Sequence, residues 1–81
     1  MTRETIIETL KKNISETLDD VDTSSLDTRL TMKDIGANSL DIVEIVSRTM
    51  RQLKVKIPRS ELNKLENIDA LIDLIYESAN A

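Results

Sequence analysis

Apolar residues recur at helical spacing in three separate stretches, and that rhythm is the strongest constraint on what this chain can fold into. Ile6, Ile7, Leu10, Ile14 and Leu18 form one stripe. At 100° per residue, Ile42, Ile45, Val46, Thr49 and Leu53 fall within one arc of about 100°. Ile68, Leu71, Ile72, Ile75 and Tyr76 keep i, i+3, i+4, i+7, i+8 order. Helices are therefore expected over residues 2–18, 39–54 and 67–79. Thr2 and Asn67 are good N-cap types, with Glu4 and Asp69 near the positive ends of their helices. Pro58 forces Ile57 toward an extended geometry, and Ser60 can cap a short helix over 60–65. With 81 residues and short connections after Pro58, the expectation is all-α: one domain over 1–81, a four-helix bundle with a short third helix.

Between the first two helices lies a long stretch, residues 19–38. Loops of that length inside a compact domain are uncommon. Val21, Leu26, Leu30, Met32 and Ile35 are spaced as pins that hold it against the helices, and Leu26, Leu30 and Ile35 are expected to be mostly buried. The plainer alternative is a disordered linker.

Composition narrows the function. Tyr76 is the only aromatic residue, so Leu, Ile and Val must fill the core, which is poorly suited to a stacking surface for nucleic acid. A net charge of −4 likewise disfavours a phosphate-backbone partner. No apolar run is long enough to span a membrane, and the N-terminus lacks the apolar segment of a signal peptide, so a cytoplasmic monomer is the default. Cysteine is absent, which removes disulfides and thiolate metal sites. Histidine is absent too, so neither a Ser–His pair nor a protein thiol can perform acyl transfer. No carboxylate cluster has metal-loop spacing, and Asp19-Asp20 sits in a polar segment without the burial that tunes a catalytic acid. By its own side chains the chain reads as non-enzymatic.

One stretch stands apart, Asp34-Ile35-Gly36-Ala37-Asn38-Ser39-Leu40-Asp41. It turns at the only glycine and then starts a helix. Asn38 and Ser39 are both strong N-cap types, and Asp41 in the first turn suits the helix dipole. The chain has seven serines, and a serine at a helix start is ordinarily only a cap. Yet the backbone N–H groups and dipole there also favour a negatively charged group beside the Ser39 hydroxyl.

The order Gly-Ala-Asn-Ser-Leu-Asp, an amphipathic helix, then Val55-Lys56-Ile57-Pro58 and a last helix resembles the acyl carrier protein family over nearly the whole chain. The resemblance implies a bundle of acyl-carrier type and a 4'-phosphopantetheine arm, derived from coenzyme A, on Ser39. Acyl groups would ride on that arm as thioesters to polyketide or fatty-acid biosynthetic enzymes. The implied partners are a phosphopantetheinyl transferase and acyl-loading and condensing enzymes. Asn38 stands where the family usually has aspartate, a residue that helps transferase recognition or metal contact, so which transferase acts stays open. The chain starts and stops tightly around the domain, as a freestanding carrier would.

The second helix carries the expected partner surface. Leu40 points away from the core arc and shares the outer side with Ser47, Arg51 and Lys54, while Val43 and Met50 lie on the shoulder. An isolated exposed leucine usually means nothing; beside a modified serine it becomes the centre of a patch made of Asn38, Leu40, Val43, Ser47, Met50, Arg51 and Lys54. From Arg48 to Arg59 there are five basic residues and no acid, which departs from the acidic second helix of many fatty-acid carriers. Gly-Ala-Asn-Ser with that helix resembles discrete carriers of bacterial polyketide clusters, particularly donors of acetyl units for β-branching by an HMG-synthase-like enzyme. The rivals are a housekeeping fatty-acid carrier, an aminoacyl or peptidyl carrier, and an unmodified helical adaptor in which Ser39 is merely a cap.

Overall fold

The computed structural model describes residues 1–62 and 66–80, apart from the side chains of Arg59 and Leu62. The described residues are helical where they are regular. Helix α1 spans Arg3–Thr17, α2 spans Ser39–Leu53, α3 is the four-residue Arg59–Leu62, and α4 spans Ile68–Ala79; a 3-10 turn covers Thr23–Ser25. Boundaries agree with the apolar rhythm to within a residue for the three long helices. Residues 63–65 of the helix expected over 60–65 lie outside the described residues, and its first turn begins at Arg59.

Helix α1 starts because the Thr2 hydroxyl accepts from the Thr5 N–H at 3.2 Å, and it stops where Leu18 turns extended while its N–H still reaches the Ile14 carbonyl at 2.7 Å. Such a cap is worth about 1 kcal/mol. Its stripe of Ile6, Leu10 and Ile14 is buried, and α1 packs against both α2 and α4. Ile45 and Val46 from α2 and Ile68, Leu71, Ile72 and Ile75 from α4 complete the centre. Each buried aliphatic side chain of this kind contributes roughly 1.5–3 kcal/mol.

The seam between α1 and α2 is not wholly apolar. There α1 buries Asn13, whose Nδ2 donates to Thr49 Oγ1 at 2.9 Å and to Gln52 Oε1 at 3.0 Å, while the Asn13 Oδ1 makes no hydrogen bond. Thr49 in turn donates to the Ile45 carbonyl at 2.8 Å. Periodicity put Thr49 on the core face but gave no sign of Asn13, because a polar residue on a stripe's edge normally faces solvent.

The long segment after α1 is tied down, though not by every residue expected. Met32 and Ala37 are buried, and Val21, Leu26 and Ile35 are partly buried against the core. Leu30, expected inside, is 39% exposed. The reason is that its backbone does the anchoring: the Leu30 carbonyl accepts from the Ile68 N–H at 2.9 Å, and the Thr28 carbonyl from the Asp69 N–H at 2.8 Å. Asp27 keeps this turn shaped by accepting from the Arg29 guanidinium and, next, from its backbone N–H, contacts that lower its carboxyl from the ordinary value.

Candidate functional site

The approach to α2 is built from two reciprocal caps on either side of the glycine. Thr31 N–H donates to the Asp34 carboxylate and Asp34 N–H to the Thr31 hydroxyl, both at 3.0 Å. Seven residues later Asn38 N–H donates to the Asp41 carboxylate at 3.1 Å, and Asp41 N–H to Asn38 Oδ1 at 2.8 Å. This second pair is a capping box, with an aspartate in place of the usual glutamate. Gly36 joins them at φ 98°, a conformation that side-chain-bearing residues rarely take. A Cβ there would meet nothing within 4 Å, so the glycine serves the backbone angle and not a close approach.

The cap of α2 is therefore Asn38, and Ser39 is the first residue inside the helix. Sequence alone left both as candidates. With the capping role taken, the exposed Ser39 hydroxyl has no hydrogen-bond partner among the described residues. The N–H groups of Ser39 and Leu40 precede the first intrahelical bond, Ile42 N–H to the Asn38 carbonyl at 3.0 Å, and are likewise unpaired. A free hydroxyl thus lies beside two open amides at the positive end of a 15-residue helix. That arrangement suits a phosphoryl group bonded to the serine oxygen.

From Ser39 an open groove of about 880 Å³ is lined by both α2 and α4. Val43, Val46 and Met50 line it from α2, and Ile68 and Leu71 from α4, with Lys33 also on its wall. Its chemistry fits an apolar chain attached at the serine end. The α4 contribution was invisible in sequence, where Ile68 and Leu71 read simply as core; a groove and a core share the same period.

The structure sorts the expected interface residues into two groups. Val43, 45% exposed, together with Met50 and Ser47, lines the groove. Ser47, placed by the helical wheel with the outer residues, is half-buried and belongs to the groove wall instead. Leu40 is 80% exposed, and Arg51 and Lys54 are exposed with it on the outer side. The basic run is divided as well. Arg48 is held by Glu44 at 2.9 Å and by Glu16 of α1 at 3.3 Å, so its charge is compensated within the fold. No acid pairs with Arg51, Lys54 or Lys56 among the described residues.

Among the described residues no group of acidic, histidine or cysteine side chains is arranged to hold a metal ion, and no helix is long and apolar enough to cross a membrane.

Comparison with known proteins agrees with this geometry. The family model described as the phosphopantetheine attachment site matches residues 8–75. A polyketide biosynthesis acyl-carrier protein of Bacillus subtilis, AcpK, is 32% identical over 81 residues, covering 100% of this chain and 99% of the relative. An acyl carrier protein of Campylobacter lari is 34% identical over 71 residues, 86% of this chain and 91% of its own. One from Campylobacter concisus is 41% identical over 44 residues, 54% of this chain and 57% of its own. These relatives are acyl carriers by name. The match along the whole chain and the phosphopantetheine domain within it place this protein in the acyl carrier protein family.

Proposed function

We propose that Ser39 bears the phosphopantetheine arm and that the protein carries acyl groups on it as thioesters without catalysing any step itself. The observation that supports this most directly is that Asn38, not Ser39, caps α2, leaving the serine hydroxyl exposed, lining the groove and unbonded among the described residues. In the reading, the Ser39 oxygen attacks the coenzyme A phosphate that bears pantetheine, and adenosine bisphosphate leaves. The serine proton passes to a base of the transferase, and a phosphodiester forms. The thiol of the arm then supplies the nucleophile that the chain, without cysteine, lacks. The Ser39 and Leu40 amides would hold the phosphodiester, and the groove would receive the acyl end.

The same reading takes residues 1–81 as a single cytoplasmic carrier domain. Its bundle is of the four-helix acyl-carrier type, with α3 as the short third member. Its partners are a transferase and acyl-loading and condensing enzymes that approach over Asn38, Leu40, Val43, Met50, Arg51 and Lys54. A polyketide pathway is favoured over fatty-acid synthesis by the full-length similarity to AcpK and by the unpaired basic residues at the end of α2. Within it we favour the β-branching donor role, which acetyl transfer from the loaded protein to an HMG-synthase-like enzyme would test.

Intact-mass measurement after incubation with coenzyme A and a broad-specificity transferase checks the attachment. One phosphopantetheine should be added to the wild-type chain and none to Ser39→Ala, with melting unchanged. Labelling that persists in the variant would overturn the assignment.

A further inference from the structure

We propose that the outer stripe of α2 docks on an acidic protein surface, with an apolar patch of the partner meeting Leu40 and Val43 and its carboxylates meeting Arg51, Lys54 and Lys56. The proposal rests on the carrier reading for its setting and deepens it by stating the chemistry of the partner.

The charges on α2 are sorted by position. Its acids are engaged internally: Asp41 accepts the Asn38 N–H, and Glu44 is bonded to Arg48, which also reaches Glu16. What remains on the outward side is Leu40 at the serine end and Arg51 and Lys54 at the other, with exposed Lys56 just beyond. Twelve residues at 1.5 Å each put Arg51 about 18 Å along the axis from Ser39. The stripe is thus apolar at one end and positive at the other, and that polarity gives a docked partner a direction.

Lys54 adds an independent observation. It adopts φ 57°, ψ 41°, the left-handed conformation in which helices commonly place glycine. The helix end is closed by backbone bonds, Val55 N–H to the Met50 carbonyl at 2.9 Å and Lys54 N–H to the Arg51 carbonyl at 3.3 Å. The terminal carbonyls are therefore partly satisfied already, which lessens what a lysine contributes to the dipole. The lysine at this left-handed position is also exposed, so its charge faces outward.

A net charge of −4 should draw basic molecules to the protein as a whole, so a preference for an acidic one is a specific and discriminating result. Apolar contact at the centre with charge at the rim suits a transient complex, in which burial supplies affinity and charge sets encounter and orientation.

The test uses the full-length holo-protein, nitrogen-15 labelled, with arm attachment first verified by intact mass. Absence of the arm there counts against the carrier reading, whereas the titration below reads charge preference separately. The probes are two synthetic amphipathic peptides with the same leucine face, one flanked by glutamates and the other by lysines, and vesicles containing phosphatidylglycerol. The acidic peptide should shift the amides of Leu40, Val43, Arg51, Lys54 and Lys56 and bind more tightly than the basic one at low salt. Arg51→Glu with Lys56→Glu should reverse that order, each exposed charge counting for roughly two- to fivefold, and the difference should narrow as salt rises. If circular dichroism shows that this variant is unfolded, Arg51→Gln with Lys56→Gln should abolish the preference instead. Equal binding of the two peptides, tighter binding of the basic one, or shifts mapping elsewhere would overturn the proposal. Binding to the vesicles without binding to the acidic peptide would overturn it in favour of a membrane surface.

Discussion

Helices α2 and α4 begin with the same chemistry and finish the job differently. Each has an asparagine cap whose side chain accepts the third amide of the helix at 2.8 Å, Asn38 from Asp41 and Asn67 from Ala70, and each has an aspartate in its first turn. At α4 the first two amides are also satisfied, because the long loop lays the Leu30 and Thr28 carbonyls on Ile68 and Asp69. At α2 the corresponding amides, those of Ser39 and Leu40, stay open. Cap sequence alone does not make an anion site. An open helix start arises where the rest of the chain withholds its carbonyls, and among the described residues that happens at the helix whose first residue is an unbonded serine.

The comparison gives the loop a task, and the largest expected effect breaks the loop. Met32 is buried at 8% exposure while Leu30 is 39% exposed and anchors through its carbonyl. Met32→Ala should therefore cost about 2–4 kcal/mol, and Leu30→Ala about 0.5–1 kcal/mol, measured by urea unfolding. An equal cost at the two positions would mean that the Leu30 side chain, and not its backbone, holds the loop to α4.

This division also explains what could be read from residues alone. The three long helices, the Thr2 and Asn67 caps and the turn at Gly36 were legible because each rests on local rules: a 3.6-residue period, a short oxygen-bearing side chain, a positive φ. Leu30 was misplaced because an apolar residue in a loop suggests side-chain burial, whereas a backbone carbonyl that accepts from a distant helix leaves no trace in residue type. The partner of Arg48 escaped for a similar reason, since Glu16 is 32 residues away and meets it only once α1 packs on α2. At the candidate site, the turn at Gly36 and a helix start near Ser39 were legible. Which of Asn38 and Ser39 does the capping depended on a one-residue choice of helix start that sequence patterns do not resolve.

Removing one cap at a time sharpens the comparison. Asn38→Ala and Asn67→Ala should each cost about 1 kcal/mol in overall stability. Their local consequences should differ. At α4 the Ile68 and Asp69 amides keep their carbonyl partners, so they should remain protected from hydrogen exchange in Asn67→Ala. At α2 no loop carbonyl backs the first turn, and only the Asn38 N–H bond to the Asp41 carboxylate remains of the box, so Asp41 and Ile42 should exchange faster in Asn38→Ala. Loss of protection at Ile68 and Asp69 in the α4 variant would show that the loop contacts depend on the cap and are no separate device.

The smallest effect is also the one that asks most of the comparison. Asparagine and aspartate cap about equally well, so Asn38→Asp should preserve the box geometry. A carboxylate at the helix start gains roughly 0.3–1 kcal/mol from the dipole, and its repulsion from Asp41 costs roughly 0.2–0.5 kcal/mol. The net change should lie between a loss of about 0.2 kcal/mol and a gain of about 0.8 kcal/mol. At α4 the positive end is already partly neutralised by the Leu30 and Thr28 carbonyls, while Asp69 supplies the same repulsion, so Asn67→Asp should be neutral or slightly destabilising. Both differences come from partly exposed charges and should shrink at high salt. Denaturant unfolding of the two variants at pH 7, at low and high ionic strength, measures the pair. If Asn67→Asp is the more stabilising of the two at low salt, the open amides at Ser39 and Leu40 do not make the start of α2 the more positive one.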